Sequence, residues 1–144
     1  MKYSHLFLTL FIAHCTLFTA SAQSTLKINN GSNIKVNNVS VVLVDVNVEN
    51  NGTVTSNNGK VSMTGSSTTS ISGTGSTMLD SLSLQKSSGE VQLLQDLMVG
   101  GDLELLNTNL DLQANHLKML DPSSITGASA SGYVQTSSTG TLTR

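Results

Sequence analysis

The feature that most constrains this chain is a set of apolar pairs at positions i and i+2 that recurs every few residues. Val61 and Met63, Leu82 and Leu84, Val91 and Leu93, Leu97 and Val99, Leu103 and Leu105, Leu110 and Leu112, and Leu117 and Met119 are such pairs. Side chains two apart lie on the same side of an extended strand, so each pair marks a short strand with one apolar face. From Leu97 onward the pairs begin at 97, 103, 110 and 117, which leaves no room for ordinary hairpins with a Gly or Asn at a fixed place. A coil that turns three times per circuit fits this spacing. The circuit is about 20 residues, the step from Leu97 to Leu117 and nearly that from Leu82 to Leu103 and from Val61 to Leu82.

The chain is therefore expected to be all-β, a right-handed parallel β-solenoid with about 20 residues per rung. Each strand would pair with its equivalent one rung away, and the inward side chains would stack into aliphatic columns. Such a core is thin and needs no large aromatics. That suits a chain whose only aromatic after residue 22 is Tyr133. Of the 122 residues after that point, 59 are Ser, Thr, Asn or Gly, a composition that on its own also fits a disordered linker. The patterning of the other half argues against disorder. Its longest alternation sets Val42, Val44, Val46 and Val48 against Leu43, Asp45, Asn47 and Glu49, and predicts one strand with the valines buried.

Corners are expected at Asn50-Asn51-Gly52, Asn57-Asn58-Gly59 and Gly100-Gly101-Asp102, and near Asn107 and Asn115, because these residues tolerate tight or left-handed backbone. The stretch from Gly65 to Thr77, with Ile71 alone as an inward candidate, reads equally as a thin rung or a loop. The only proline, in Asp121-Pro122, ends the regular pattern, since proline cannot donate to a strand ladder. Residues 23–121 are thus expected to form the solenoid. Residues 122–144, alternating loosely around Tyr133 and Val134, would form a C-terminal cap or the start of a truncated next module.

The first 22 residues read as a secretory signal peptide. Lys2 supplies the positive start, Leu6 to Phe18 is mostly apolar, and Ala20-Ser21-Ala22 is a small-x-small cleavage signature. The apolar run is shorter than the ~20 residues that span a bilayer, so no stable membrane insertion is expected after cleavage. Export to the extracellular space or outer cell surface follows, with the periplasm as the alternative. The cleaved chain contains no cysteine, because Cys15 lies in the leader, and so no disulfide or thiolate chemistry.

Catalytic residues are not expected. The only histidine after the leader is His116, and no G-x-S-x-G surrounds any serine. No cofactor is implied. The acidic residues Asp96, Asp102, Glu104 and Asp111 fall on neighbouring rungs, and Asp96, Asp102 and Asp111 are the calcium candidates. The competing reading is solvated charge, with Glu104 facing out between Leu103 and Leu105. Lys27, Lys35, Lys60, Lys86 and Lys118 are scattered singly without interleaved aromatics, which speaks against nucleic-acid binding.

The stretch Leu97-Met98-Val99-Gly100-Gly101-Asp102-Leu103-Glu104-Leu105, followed by Leu110-Asp111-Leu112 and Asn115-His116-Leu117, resembles degenerate repeats of large secreted surface proteins of Bacteroidetes bacteria. The end of the leader, Ser21-Ala22-Gln23, and the tail from Gly132 to Arg144 look like that group as well. The resemblance implies a parallel β-helical, adhesin-like region, and Asp80-Ser81-Leu82 is similar to the O-glycosylation signal of such bacteria. Members are usually far longer and often end in a sorting domain.

Together these readings point to a non-catalytic structural or adhesion module of the bacterial surface or matrix. Its partners would be glycans or cell-surface components, with self-association through end rungs. The alternative is a glycan-binding or remnant domain of a polysaccharide-degrading β-helix enzyme.

Overall fold

The computed structural model describes residues 23–144, so the expected leader lies outside the described residues. The described chain is all strand, turn and bend, wound into a parallel β-solenoid of about six turns with about 21 residues in each. The first coil is β1 (Ser24–Ile28), β2 (Asn33–Asn37) and β3 (Ser40–Val44). The second is β4 (Val46–Asn50), β5 (Thr53–Asn57) and β6 (Lys60–Gly65), and the third β7 (Thr69–Ser72), β8 (Ser76–Leu79) and β9 (Ser81–Lys86). The fourth is β10 (Val91–Leu94), β11 (Leu97–Val99) and β12 (Asp102–Leu105). The fifth is β13 (Leu110–Asp111), β14 (His116–Met119) and β15 (Ser124–Thr126), and β16 (Val134–Gln135) and β17 (Thr141–Thr143) follow.

Every third strand pairs in parallel, giving three sheets. The first face is β1-β4-β7-β10-β13-β16, the second β2-β5-β8-β11-β14-β17, and the third β3-β6-β9-β12-β15. Because each step adds nearly one circuit, like stacks on like inside. Val41, Val61, Leu82, Leu103 and Ile125 form one register column on the third face, and Leu43, Met63, Leu84 and Leu105 form its neighbour. Leu26, Val48, Ile71 and Leu93 stack on the first face, and Leu79, Val99 and Met119 on the second. Leu82, Leu84, Val91, Leu93, Leu103, Leu110 and Leu117 are wholly shielded from solvent. All seven apolar pairs that define the sequence pattern therefore point inward.

The long valine alternation behaves differently. At Asp45 the backbone takes a left-handed turn (φ 52°) and the expected single strand becomes β3 and β4, on different faces. The corner shifts the inward parity. Val41 and Leu43 point in, while Val42 and Val44 point out and are 58% and 61% exposed. An alternating run across a one-residue corner looks like one strand to any period-two reading. The stretch from Gly65 to Thr77 is a rung, in which Thr69, Ile71 and Thr77 fill the inward positions. Past the cis Asp121–Pro122 bond, β15, β16 and β17 join the ends of the three sheets.

Leu82 sits mid-column, packed above and below by Val61 and Leu103. Leu82→Ala should lower unfolding free energy in urea by ~2–5 kcal/mol, the usual cost of a core leucine deletion. Leu94→Ser, on an outward position of β10 that is 49% exposed, should change it by less than about 0.5 kcal/mol.

Candidate functional site

With the inward positions aliphatic, polar chemistry falls mainly to the outward positions and corners. Charge collects most on the third face. Lys60 pairs in register with Ser81, and Ser62, Ser83 and Glu104 form the next column. Lys60 leans across β9, so that its Nζ lies 2.6 Å from Glu104 Oε2. Ser83, almost wholly buried, lies between them in the column, in register with Glu104. The Lys60 ammonium, seconded by Ser83, holds the Glu104 carboxyl below the ordinary range against the opposing effect of burial. Asp102 begins β12 and accepts a hydrogen bond of 2.5 Å from Ser124 Oγ, one coil on.

A shallow groove of about 130 Å³ runs between Lys60, Ser81, Leu82, Asp102 and Glu104. It offers carboxylate acceptors beside ammonium and hydroxyl donors, the groups that hydrogen-bond a polyhydroxylated ligand. A glycosidase acid needs a carboxyl whose pKa is raised, and Glu104 is displaced in the opposite direction. Ser81 lies beside Lys60, whose ammonium is paired with Glu104.

The three calcium candidates are not brought together. Asp96, at the corner before β11, accepts from the His116 backbone N–H at 2.8 Å. Asp102 lies on the third face. Asp111 lies on the first, 3% exposed, where Oδ1 accepts from the backbone N–H groups of Gln113 (3.0 Å) and Ser137 (3.1 Å) and Oδ2 from the Gln113 side chain (2.8 Å). Among the described residues no group of three or more His, Cys, Asp or Glu is placed to hold a metal ion. His116 is exposed at the start of β14, its Nδ1 2.8 Å from Thr141 Oγ1.

The sequence reading missed the polar groups inside the corners. The Lys86 side chain is fully buried, its Nζ donating to Thr64 O at 3.1 Å and to Asp45 Oδ1 at 3.4 Å. Asn50, also fully buried, donates to Ser76 O (2.9 Å) and Thr77 Oγ1 (2.8 Å) and accepts from Gly52 N–H (3.0 Å). Gln95 Nε2 reaches the same Thr77 hydroxyl at 2.6 Å. Parity was the available signal, because Lys86 lies two beyond inward Leu84 and Asn50 two beyond Val48.

Asp45 joins two of these themes. Its Oδ1 accepts from the Ser67 and Ser66 backbone N–H groups, each at 2.8 Å, while Lys86 approaches the same oxygen. The Ser67 N–H, with Ser66 and Lys86 behind it, depresses the Asp45 carboxyl pKa despite partial desolvation. Gly65 packs against this carboxylate at φ 108°, and a Cβ there would overlap it.

Comparisons with protein-family models, curated proteins and solved structures give no match to this chain.

Because the Asp45 pKa is lowered on folding, its contribution is complete at neutral pH and is lost as pH falls below its ordinary value of 3.8, through the lower folded value. Thermal melts from about pH 7 to about pH 2 should show Tm falling across that acid window in the parent, and less steeply in Asp45→Asn. Asp45→Asn should also melt lower than the parent at neutral pH, since Lys86 loses its carboxylate. Gly65→Ala should lower Tm throughout, through both the overlap and the left-handed backbone.

Proposed function

We propose that this chain is an exported, non-catalytic β-solenoid that serves as a structural or adhesion module at a bacterial cell surface or in its matrix. Residues 1–22 act as the cleaved leader, and the periplasm is the alternative destination. The observation that carries this reading is the use of the polar side chains. Asp45, Asn47, Asn51, Asp96 and Asp111 each accept from backbone N–H groups of the next coil. Such groups rigidify a rod; they do not converge on a reacting atom. Likeness of the repeats to surface proteins of Bacteroidetes supports the same reading. Contacts to glycans or other surface components would be numerous and individually weak, through outward Ser, Thr and Asn side chains. Strands left unpaired among the described residues at the two ends of the stack add a route to self-association.

The third-face groove favours a second reading, a glycan-binding or remnant domain of a polysaccharide-degrading β-helix. The two readings separate on product release. The cleaved chain, incubated with a panel of acidic and neutral polysaccharides, should retain some of them on a column and release neither reducing ends nor unsaturated uronate. Product release that disappears in Asp102→Asn or Asp111→Asn would overturn the non-catalytic reading. Mass spectrometry of the exported protein should place its first residue at Gln23.

A further inference from the structure

The N-terminal end of the stack combines three properties. Among the described residues its interior is open, with inward Leu26, Ile34, Val36, Val41 and Leu43 among the residues around a cavity of about 100 Å³ with an apolar surface. Its three end strands, β1, β2 and β3, are five residues each, whereas β15, β16 and β17 at the other end have three, two and three. Third, β3 reads Ser-Val-Val-Leu-Val, apolar on both faces and without charge. Sheet edges are commonly guarded by charge, as Lys27 and Lys35 guard β1 and β2. A strand apolar on both sides has the pattern of one that is covered.

The occupant can be argued from the chain itself and rests on the function proposed above. If the 22 residues ahead of Gln23 leave as a leader, one residue remains before β1, too little to cover the end. A second copy fits the geometry. Traced backward from β1, the helical path next visits the third, second and first faces, against the free edges of β3, β2 and β1. A copy related by a two-fold axis perpendicular to the stack offers its own β1, β2 and β3 to those places in that order, running antiparallel. Head-to-tail stacking fits less well. Among the described strands, the path beyond β17 next calls for a third-face strand, whereas an added copy begins with a first-face strand and so does not meet the β15 edge.

We infer that the cleaved protein forms a closed head-to-head dimer through its N-terminal rung, β3 of each copy pairing with β1 of the other and β2 with itself. Inward parity then sets Leu26 opposite Leu43 of the second copy and Ile28 opposite Val41, closing the apolar interior. On the outside Lys27 lies over Val42. Full overlap of the two β2 strands brings Lys35 opposite its own equivalent, a like-charge pair that weakens the contact.

Sedimentation of residues 23–144, which contain the whole described core, should give a dimer at about 100 μM and no larger species. Val42→Lys places an ammonium opposite Lys27 of the second copy without touching the core. It should raise the dimer Kd at least about tenfold with an unchanged circular dichroism spectrum. Lys35→Thr should tighten the dimer, a gain that misfolding could not produce. The cleaved chain lacks cysteine, so single-cysteine variants report the arrangement: Gln23→Cys should form a disulfide with its own copy, and Thr143→Cys should not. A monomer at about 100 μM, open-ended growth beyond the dimer, or self-crosslinking through position 143 in place of 23 would overturn the dimer. A leader found still attached to the exported chain overturns the cleavage at Gln23 and with it the premise of this dimer. A cleaved chain that stays monomeric overturns the dimer alone.

Discussion

The structure depends on the circuit length staying near a fixed value. An inward pair supplies only two side chains to the wall of each face, and these have no partner within their own strand. They become a core when the chain returns about 21 residues later with another pair at the same place, as Val61, Leu82 and Leu103 do. The same return satisfies the backbone, since each strand's ladder runs to the coils above and below. Length error is therefore expelled outward. The surplus between β15 and β16 is taken up by a small side turn bridged at Ser129 and Gly132, and Leu110 still stacks under Val134.

Corners carry the second requirement, that each coil land in register upon the last. Aliphatic columns are slippery along the strand, because Leu packs on Leu or Val in many positions. Directional bonds are not. Asn47 accepts from the Ser70 N–H, Asn51 from Thr74, Asp111 from Ser137 and Asn109 from Tyr133, each from one coil to the next. This gives the abundance of Asn and Asp a reason beyond their tolerance of left-handed backbone. Buried Lys86 does comparable work at the Asp45 corner. It meets a carboxylate and a carbonyl there, so the charge is not left bare in the thin core.

What was legible in the sequence follows from this division. Inward pairs such as Leu103 and Leu105 are local signals, written within three residues and independent of what lies across the stack. The Asp45 corner was illegible because a one-residue turn leaves the alternation of apolar residues intact while moving it to a new face. The partners of the polar groups were hidden for a related reason. In the sequence Asp96, Asp102 and Asp111 read either as calcium candidates, because acids on neighbouring rungs can converge, or as solvated charge. Their carboxylates instead bond groups in the adjoining coil or beside it, and those partners lie up to 26 residues away, beyond any local pattern. Lys86 reads in the sequence as one of five singly scattered lysines, although its even spacing from Leu82 and Leu84 marks it as inward.

This division bears on where specificity can reside. Along the sides of the rod, the backbone is paired and many polar side chains are occupied, so recognition is limited to shallow, additive contacts like those the Lys60–Glu104 groove offers. At each end of the described residues, one whole edge of each sheet is open and the aliphatic columns stop without a neighbour. An end is thus the place where backbone pairing and apolar burial are both still to be gained, and where the gain requires matched strand order, parity and direction. The two ends differ in this respect. Arg144, Ser124 and Thr143 bring polar groups to the C-terminal cavity, whereas the N-terminal cavity has an entirely apolar accessible surface and ends in the uncharged β3. A partner selected by shape and apolar surface would therefore discriminate between them, and the rod acquires a polarity that its repeating sides do not have.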